Sequence, residues 1–319
     1  MELKPILKTL LRNKIGVAVI ATQVALTLAI ASNVFYIVAD KVSAARQPSG
    51  VDEANVFRIR AANYRDVADP LAQQKRDEAA LRSIPGVQQV AMVNQVPLGQ
   101  SGNNSGFFLK RDQQQSTTNC ATYEAADSLV DALGLKLIEG RDFTPEEYLE
   151  FTEYPTEGQP LPVIVSEAMA RVMYPEESRY VGRVFYQGNG DKASELRIVG
   201  VVETLSTPWG RTSWGSKTGG ESLVMPVRMP TMSPQYVVRT EPGRQSEALK
   251  AAESALIQPG DGRILVPANT MLELREHRYR NDYFLSDPFG TIFPGMNGPG
   301  PVPPQIFVTP VDVEVNLPI

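Results

Sequence analysis

Between Ile15 and Ala39 the sequence runs IGVAVIATQVALTLAIASNVFYIVA, without one Asp, Glu, Lys or Arg. At roughly 1.5 Å of rise per residue, a helix of about 25 residues crosses a hydrocarbon core of about 30 Å. Lys4, Lys8, Arg12 and Lys14 precede the run, and Asp40, Lys41 and Arg46 follow it. A basic excess on the N-terminal flank keeps that end in the cytoplasm. The expected layout is a cytoplasmic segment over 1–14, a transmembrane helix from Ile15 to Ala39, and the remainder of the chain on the far side. A cleaved secretory signal is the rival reading, but its apolar core is only about 7–15 residues long. This run is longer, and Phe35 and Tyr36 extend it.

The span also carries polar and small residues. Gln23, Thr27 and Ala31 recur at a spacing of four, and Gly16 lies seven residues before Gln23. Such a face suits packing against other membrane helices. The plainer alternative is that the hydroxyls bond back to their own helix. Ahead of the span, Leu3, Ile6, Leu7, Leu10 and Leu11 share a face beside Lys4, Lys8 and Arg12, the pattern of a basic amphipathic segment in the headgroup layer.

Composition bounds what lies beyond the membrane. After the span, enough of the 319 residues remains for one large or two small domains. With 25 prolines and 24 glycines, short strands and turns are favoured over long helices. A net charge of −5 argues against a nucleic-acid partner, which calls for a basic stripe. Cys120 is the sole cysteine, so an intrachain disulfide is impossible and the core alone must hold the fold. A bacterial periplasm permits this.

The pattern after the span is mixed. Val56–Arg60 alternates as a strand, Asp69 and Pro70 open a helix to Ser83 with an apolar side of Ala79, Ala80, Leu81 and Ile84, and Val87–Val93 reads as the next strand. Gly99–Gly106 is a polar loop, and strands are expected at Phe107–Lys110 and Thr118–Tyr123. A helix from Asp127 closes at Gly134. Pro162–Val165 is a strand, Ser166 caps the helix after it, and Gly188-Asn189-Gly190 turns a hairpin between Val184–Tyr186 and Leu196–Val202. Strands follow at Val224–Val227, Tyr236–Arg239 and Ile264–Val266, with a helix at Glu247–Ile257 and another capped by Asn269 and running to about Asp282. From Tyr283 onward eight prolines and four glycines preclude a long helix, and only weak edge strands at Ile306–Val308 and Val311–Val315 are expected.

A search for chemistry in the sequence finds none. Gly210 to Thr218 imitates a phosphate-binding loop, but Ser216 intrudes between Gly215 and Lys217 and no helix pattern follows. That loop instead offers Trp209 and Trp214 to a partner or lipid headgroups, or lays them over the domain's own core. His277 is the only histidine, set on a helix among Glu273, Arg275, Glu276, Arg278 and Arg280, which read as a solvated charged face. Cys120 reads as a buried small side chain, and Glu146, Glu147, Glu150 and Glu153 as acids at a helix start after Thr144-Pro145. No catalytic, cofactor-binding or metal site is expected, and the chain is not expected to be an enzyme.

The order of elements carries a resemblance. The basic start and uncleaved span are followed by Gly140-Arg141-Asp142-Phe143, then by the run from Pro162 to Ala170. Val181-Gly182-Arg183 and Ile198-Val199-Gly200-Val201-Val202 come next. In that order these pieces resemble MacB/FtsX-type ABC transporter permeases. The resemblance implies an α+β fold class: one N-terminal transmembrane helix and a two-lobed mixed α/β periplasmic core domain over 40–282. It places an inserted lobe at about 99–220 and closes 52–98 with 221–282 into the other lobe. It implies a bacterial inner membrane location, an ABC ATPase subunit, further permease copies and a periplasmic adaptor as partners besides the lipid. The drive it implies is ATP hydrolysis coupled to periplasmic movement or efflux. The Pro/Gly-rich stretch at 283–319 departs from the family pattern, which reads as a C-terminal truncation. The alternative is a membrane-anchored periplasmic binding or adaptor domain without ATPase coupling. An envelope hydrolase is disfavoured by the lack of a nucleophile–base pair.

Overall fold

A computed structural model describes residues 14–150, 160–190, 193–211, 219–257 and 262–286, with side chains to residue 280. The expected amphipathic segment, Glu153, Trp214 and the strands after Tyr283 lie outside these residues. Helix α1 (Lys14–Ala45) comes first, then β1 (Val56–Asn63), α2 (Pro70–Arg82) and β2 (Val87–Val93). Next are β3 (Asn104–Phe108), β4 (Thr118–Glu124), α3 (Leu129–Leu133) and β5 (Leu137–Gly140). A 3-10 turn at Pro145–Glu147 leads to β6 (Leu149–Glu150), β7 (Leu161–Ser166), α4 (Glu167–Met173), β8 (Val184–Gln187) and β9 (Ser194–Val202). The rest is β10 (Ser222–Met225), β11 (Val227–Arg228), β12 (Gln235–Thr240), α5 (Gln245–Leu256), β13 (Arg263–Thr270) and α6 (Met271–Ser286).

Helix α1 has 32 residues and leaves its apolar side chains uncovered from Ile15 to Ile37. A helix satisfies its own backbone, so such a surface suits lipid.

Beyond α1 the described residues form two large sheets and a two-stranded one, in which β11 runs parallel with β6. The first has the order β13-β1-β12-β2, antiparallel throughout. β1-α2-β2 and β12-α5-β13 are therefore two split strand–helix–strand units, interleaved in the ferredoxin-like manner. Alternation along the strands sends Phe57, Ile59, Met92, Tyr236 and Val238 to one face, where Leu81 of α2 and Ala248, Ala252 and Leu256 of α5 cover them. Asp69 caps α2, its carboxylate accepting from the Ala72 N–H at 2.9 Å. Of the apolar side expected from the sequence, Leu81 and Ile84 are buried but the two alanines are not. Gln74, Asp77, Glu78 and Leu81 turn inward and Ala79 is exposed. The acids are tolerated because Arg263 grips Asp77 and Arg228 grips Glu78, at 2.6 and 2.7 Å.

The second sheet has the order β5-β9-β7-β10-β4-β3-β8, and β8 also pairs with β9. That extra pairing closes six strands into a small ring filled by Phe107, Cys120, Val163, Val165, Phe185 and Leu223 among others. Met169, Ala170 and Met173 of α4 complete this core, with Ser166 capping the helix. Strand β10 pairs with β4 and β7, so the inserted lobe extends past the expected 220 to Met225. A third core joins the sheets. It takes Val56, Val93 and Val237 from the first sheet, Tyr123, Ile164 and Val224 from the second, and the apolar side of α3. Gly134 closes α3 in the left-handed conformation at φ 67°, as its sequence position predicts.

Candidate functional site: the joint between helix α1 and the domain that follows

Helix α1 meets the domain that follows it through its last two turns, from Asp40 to Ala45. Ala44 and Ala45 are 4% and 3% exposed, whereas the helix upstream is bare. They pack with Leu98 and with Tyr279 of α6. A helix C-terminus leaves orphan carbonyls that need donors. Arg275 of α6 supplies them, its Nη1 donating to Ala45 O at 2.9 Å and to Gln47 O at 3.0 Å. The positive guanidinium also suits the negative end of the helix dipole.

The other edge of the same guanidinium holds Glu53. Nε lies 2.8 Å from Glu53 Oε2 and Nη2 lies 2.5 Å from Oε1. The Ser49 hydroxyl donates to that carboxylate as well. Both side chains of the pair are largely buried, at 15% and 18% exposure. Ser49 O accepts from the Ser206 N–H at 2.9 Å, which ties the linker after α1 to the loop after β9. Gly50 stands where that linker meets Thr204. Its φ is +85°, and a Cβ there would lie 1.9 Å from Thr204 O.

A second set of contacts reinforces the first. Arg211 donates to the Asp40 carbonyl at 2.8 Å and pairs with the Asp40 carboxylate. Arg278 Nε donates to Trp209 O at 2.6 Å, and its guanidinium lies 5.1 Å from the Tyr279 ring centroid. Trp209 itself is half-buried and packs against the core between the sheets. Helix α6 therefore clamps the end of α1 from one side, and the loop at 205–211 holds it from another.

The sequence reading of α6 as a solvated charged face needs correction. Glu273, Glu276 and His277 are exposed, but Arg275 and Arg278 turn inward. The spacing held the signal, because Met271, Leu274, Arg275, Arg278 and Tyr279 fall on one helical face. The cap is also one residue later than expected. Thr270 accepts from the Glu273 N–H at 3.1 Å, and Glu273 returns the bond to the Thr270 N–H. Asn269 instead accepts from Arg58.

Gly16, Gln23, Thr27 and Ala31 lie along α1, away from the joint, and the last three are exposed. Thr27 Oγ1 donates to Gln23 O at 2.9 Å, the bond-back expected of a hydroxyl in a helix. Cys120 is buried in the ring core. Among the described residues no three His, Cys, Asp or Glu side chains are placed to share a metal ion.

The four sequence pieces behind the family resemblance meet in space. Glu139 accepts from the Tyr180 and Val181 N–H groups at 3.0–3.1 Å. Arg141 N–H donates to Val199 O and Gly182 N–H to Ile198 O. Gly140, at φ +76°, sits where a Cβ would come 2.1 Å from Val199 O. Arg141 then holds Glu147 through two 2.7 Å bonds, which keeps that carboxyl below its usual range. These pieces build a structural corner.

The profile of the MacB-like periplasmic core domain matches residues 15–256, well over half of the chain. The fold is similar to the periplasmic region of MacB from Actinobacillus actinomycetemcomitans, at 14% identity and TM-score 0.39, covering 68% of this chain and 90% of that one. It is also similar to the extracellular domain of the noncanonic ABC-type transporter YknZ from Gram-positive bacteria, at 15% identity and TM-score 0.39, covering 66% and 99%. A domain of a putative permease protein from Porphyromonas gingivalis matches at 17% identity and TM-score 0.37, covering 68% and 92%. No curated sequence matches the chain. On the profile match, the chain belongs to the MacB-like periplasmic core domain family of ABC transporter permeases.

Proposed function

We infer that this chain supplies the first span and exported domain of a permease subunit that passes ATP-driven movement across the bacterial inner membrane. The flanking lysines and arginines support a cytoplasmic N-terminus, which puts the two-lobed domain in the periplasm. The chain makes and breaks no covalent bonds in this role. Its partners are a cytoplasmic ABC ATPase subunit, further permease copies and a periplasmic adaptor.

One observation carries this reading: the end of α1 is clamped by Arg275, Glu53, Arg211 and the Ala44–Tyr279 contact. A domain that merely needed a tether would be served by a flexible linker. A buried charged clamp makes the helix and the domain move as one body. The rival, a binding or adaptor domain without an ATPase, is separated by affinity purification of the detergent-solubilised chain from its native membrane. Recovery of a nucleotide-binding subunit with ATPase activity is the expected result. Recovery of envelope proteins alone would favour the rival.

A further inference from the structure

A polar cleft lies at the other end of the face that the first sheet turns toward the inserted lobe. Val56, Arg58 and Arg60 alternate onto this face of β1, and Arg60 pairs in register with Gln235 of β12. Near Val56 the face is sealed by the core between the sheets. Near Arg60 it opens into a cleft of about 340 Å³. Arg58, Arg60, Asn94, Asn103, Ser233 and Gln235 line it, together with Gly99, Ser101 and Gly102 of the turn before Asn103. The volume falls within the range of small-molecule sites.

The charge of this cleft is uncompensated. Among the described residues no carboxylate lines it, and neither arginine forms an ion pair. Arg58 donates to Asn269, yet its Nε is buried without a hydrogen-bond partner. The Ser233 hydroxyl is likewise buried without a partner. Burial and the nearby Arg60 both lower the pKa of Arg58, the mark of two cations held together at a cost. Burial raises the carboxyl of Glu124, which hydrogen-bonds to Asn94, above its usual range.

The wall is built for close approach. Gln95 is 2% exposed, and its Oε1 accepts from the Asn103 N–H, which fixes the turn. At Gly102 a Cβ would stand 2.1 Å from that Oε1 and 2.8 Å from Pro208, so a larger residue there would displace the Gln95 amide. Among the described residues Val96 is the one large apolar residue in the lining, which favours a polar ligand.

We propose that the cleft between Arg58, Arg60 and Ser233 binds the phosphate group of a phosphate monoester. A dianionic phosphate matches two guanidinium charges and offers three terminal oxygens to the forks of Arg58 and Arg60. A single carboxylate has one charge and two oxygens, and would leave one guanidinium unmatched. This site does not rest on ATPase coupling, and its test reads binding alone.

The test uses the full chain in nanodiscs of neutral phosphatidylcholine, titrated with glycerol 3-phosphate by calorimetry and thermal shift. Saturable binding is expected, with a raised Tm and weakening as salt increases. Arg60→Ala is the key variant, because Arg60 is exposed and its loss removes a repulsion without breaking any bond. It should fold at least as stably as the parent, yet bind the ester roughly tenfold or more weakly. A second arm places phosphatidic acid in the nanodisc. Binding of the soluble ester assigns a free metabolite, and protection by the lipid alone assigns a headgroup; either supports phosphate chemistry. Absence of any response in both arms would overturn the proposal, as would equal binding by Arg60→Ala or equal binding of acetate.

Discussion

Replacing Arg275 with alanine tests whether the joint is a structural clamp or a passive contact. The side chain makes five hydrogen bonds across Glu53, Ala45 O and Gln47 O. Its loss leaves the Glu53 carboxylate, 18% exposed, with only the Ser49 hydroxyl among these partners. It also strips the α1 C-terminus of its charged cap. Breaking a fully buried ion pair costs about 3–5 kcal/mol, and residual exposure of both partners reduces this to about 2–4 kcal/mol here. Urea unfolding of the full chain in detergent measures the loss as a shift in midpoint at constant slope. Glu53→Ala and the double variant complete a thermodynamic cycle. If the pair acts as described, the second substitution costs much less once the first is made, with a coupling of about 1.5–3 kcal/mol. Arg275→Lys keeps the charge but not the two-edged fork, and should fall between parent and alanine. A loss below about 0.5 kcal/mol, or strict additivity in the cycle, would refute the clamp.

Other consequences follow from the buried groups. Asp77 accepts from the Tyr236 hydroxyl at 2.6 Å and from Arg263 at 2.6 and 2.9 Å, so Asp77→Ala should destabilise the first sheet by about 3–5 kcal/mol in thermal or urea unfolding; a near-neutral result would show the network to be dispensable. Burial raises the Glu124 carboxyl above its usual range, with the Asn94 hydrogen bond opposing. The folded state then holds that proton more tightly than the unfolded state, so stability falls as pH rises from the unfolded pKa through the folded one, and stays lowered above it. Glu124→Gln should raise Tm at pH 7 and remove that slope, and an unaltered pH profile would contradict the assignment. Burial, and then Glu221, push the Cys120 thiol well above its usual range, so a thiol reagent at pH 8 should label the protein only after unfolding; rapid labelling of the native chain would refute its burial.

Much of the fold was legible where a local rule decides the outcome. The uncharged run became α1, Asp69 and Ser166 cap their helices, Gly134 ends one, and the Gly188–Gly190 turn joins β8 to β9. What the sequence hid depends on partners far along the chain. The acidic side of α2 is buried because Arg228 and Arg263 arrive from 150 and 186 residues away, which periodicity within α2 does not reveal. Strand β10 joins the inserted lobe through β4 and β7, so its lobe was not readable from composition at the boundary. The joint was hidden for the same reason. Arg275 and Arg278 look like ordinary surface charge until the carbonyls at Ala45, Gln47 and Trp209 are placed against them.

The central claim is that α1 and the exported domain move as one body when the ATPase works. Spin labels at Tyr36, in the exposed part of α1, and at Lys250, on the exposed side of α5, report this by pulsed electron resonance in membranes that contain the assembled complex. The account predicts one narrow intrachain distance that survives ATP binding, together with an interchain Lys250 distance that shifts between the nucleotide-free and ATP-bound states. In Arg275→Ala the intrachain distance should broaden and the interchain shift should shrink. A broad intrachain distribution in the parent chain, or an interchain distance indifferent to ATP, would contradict it.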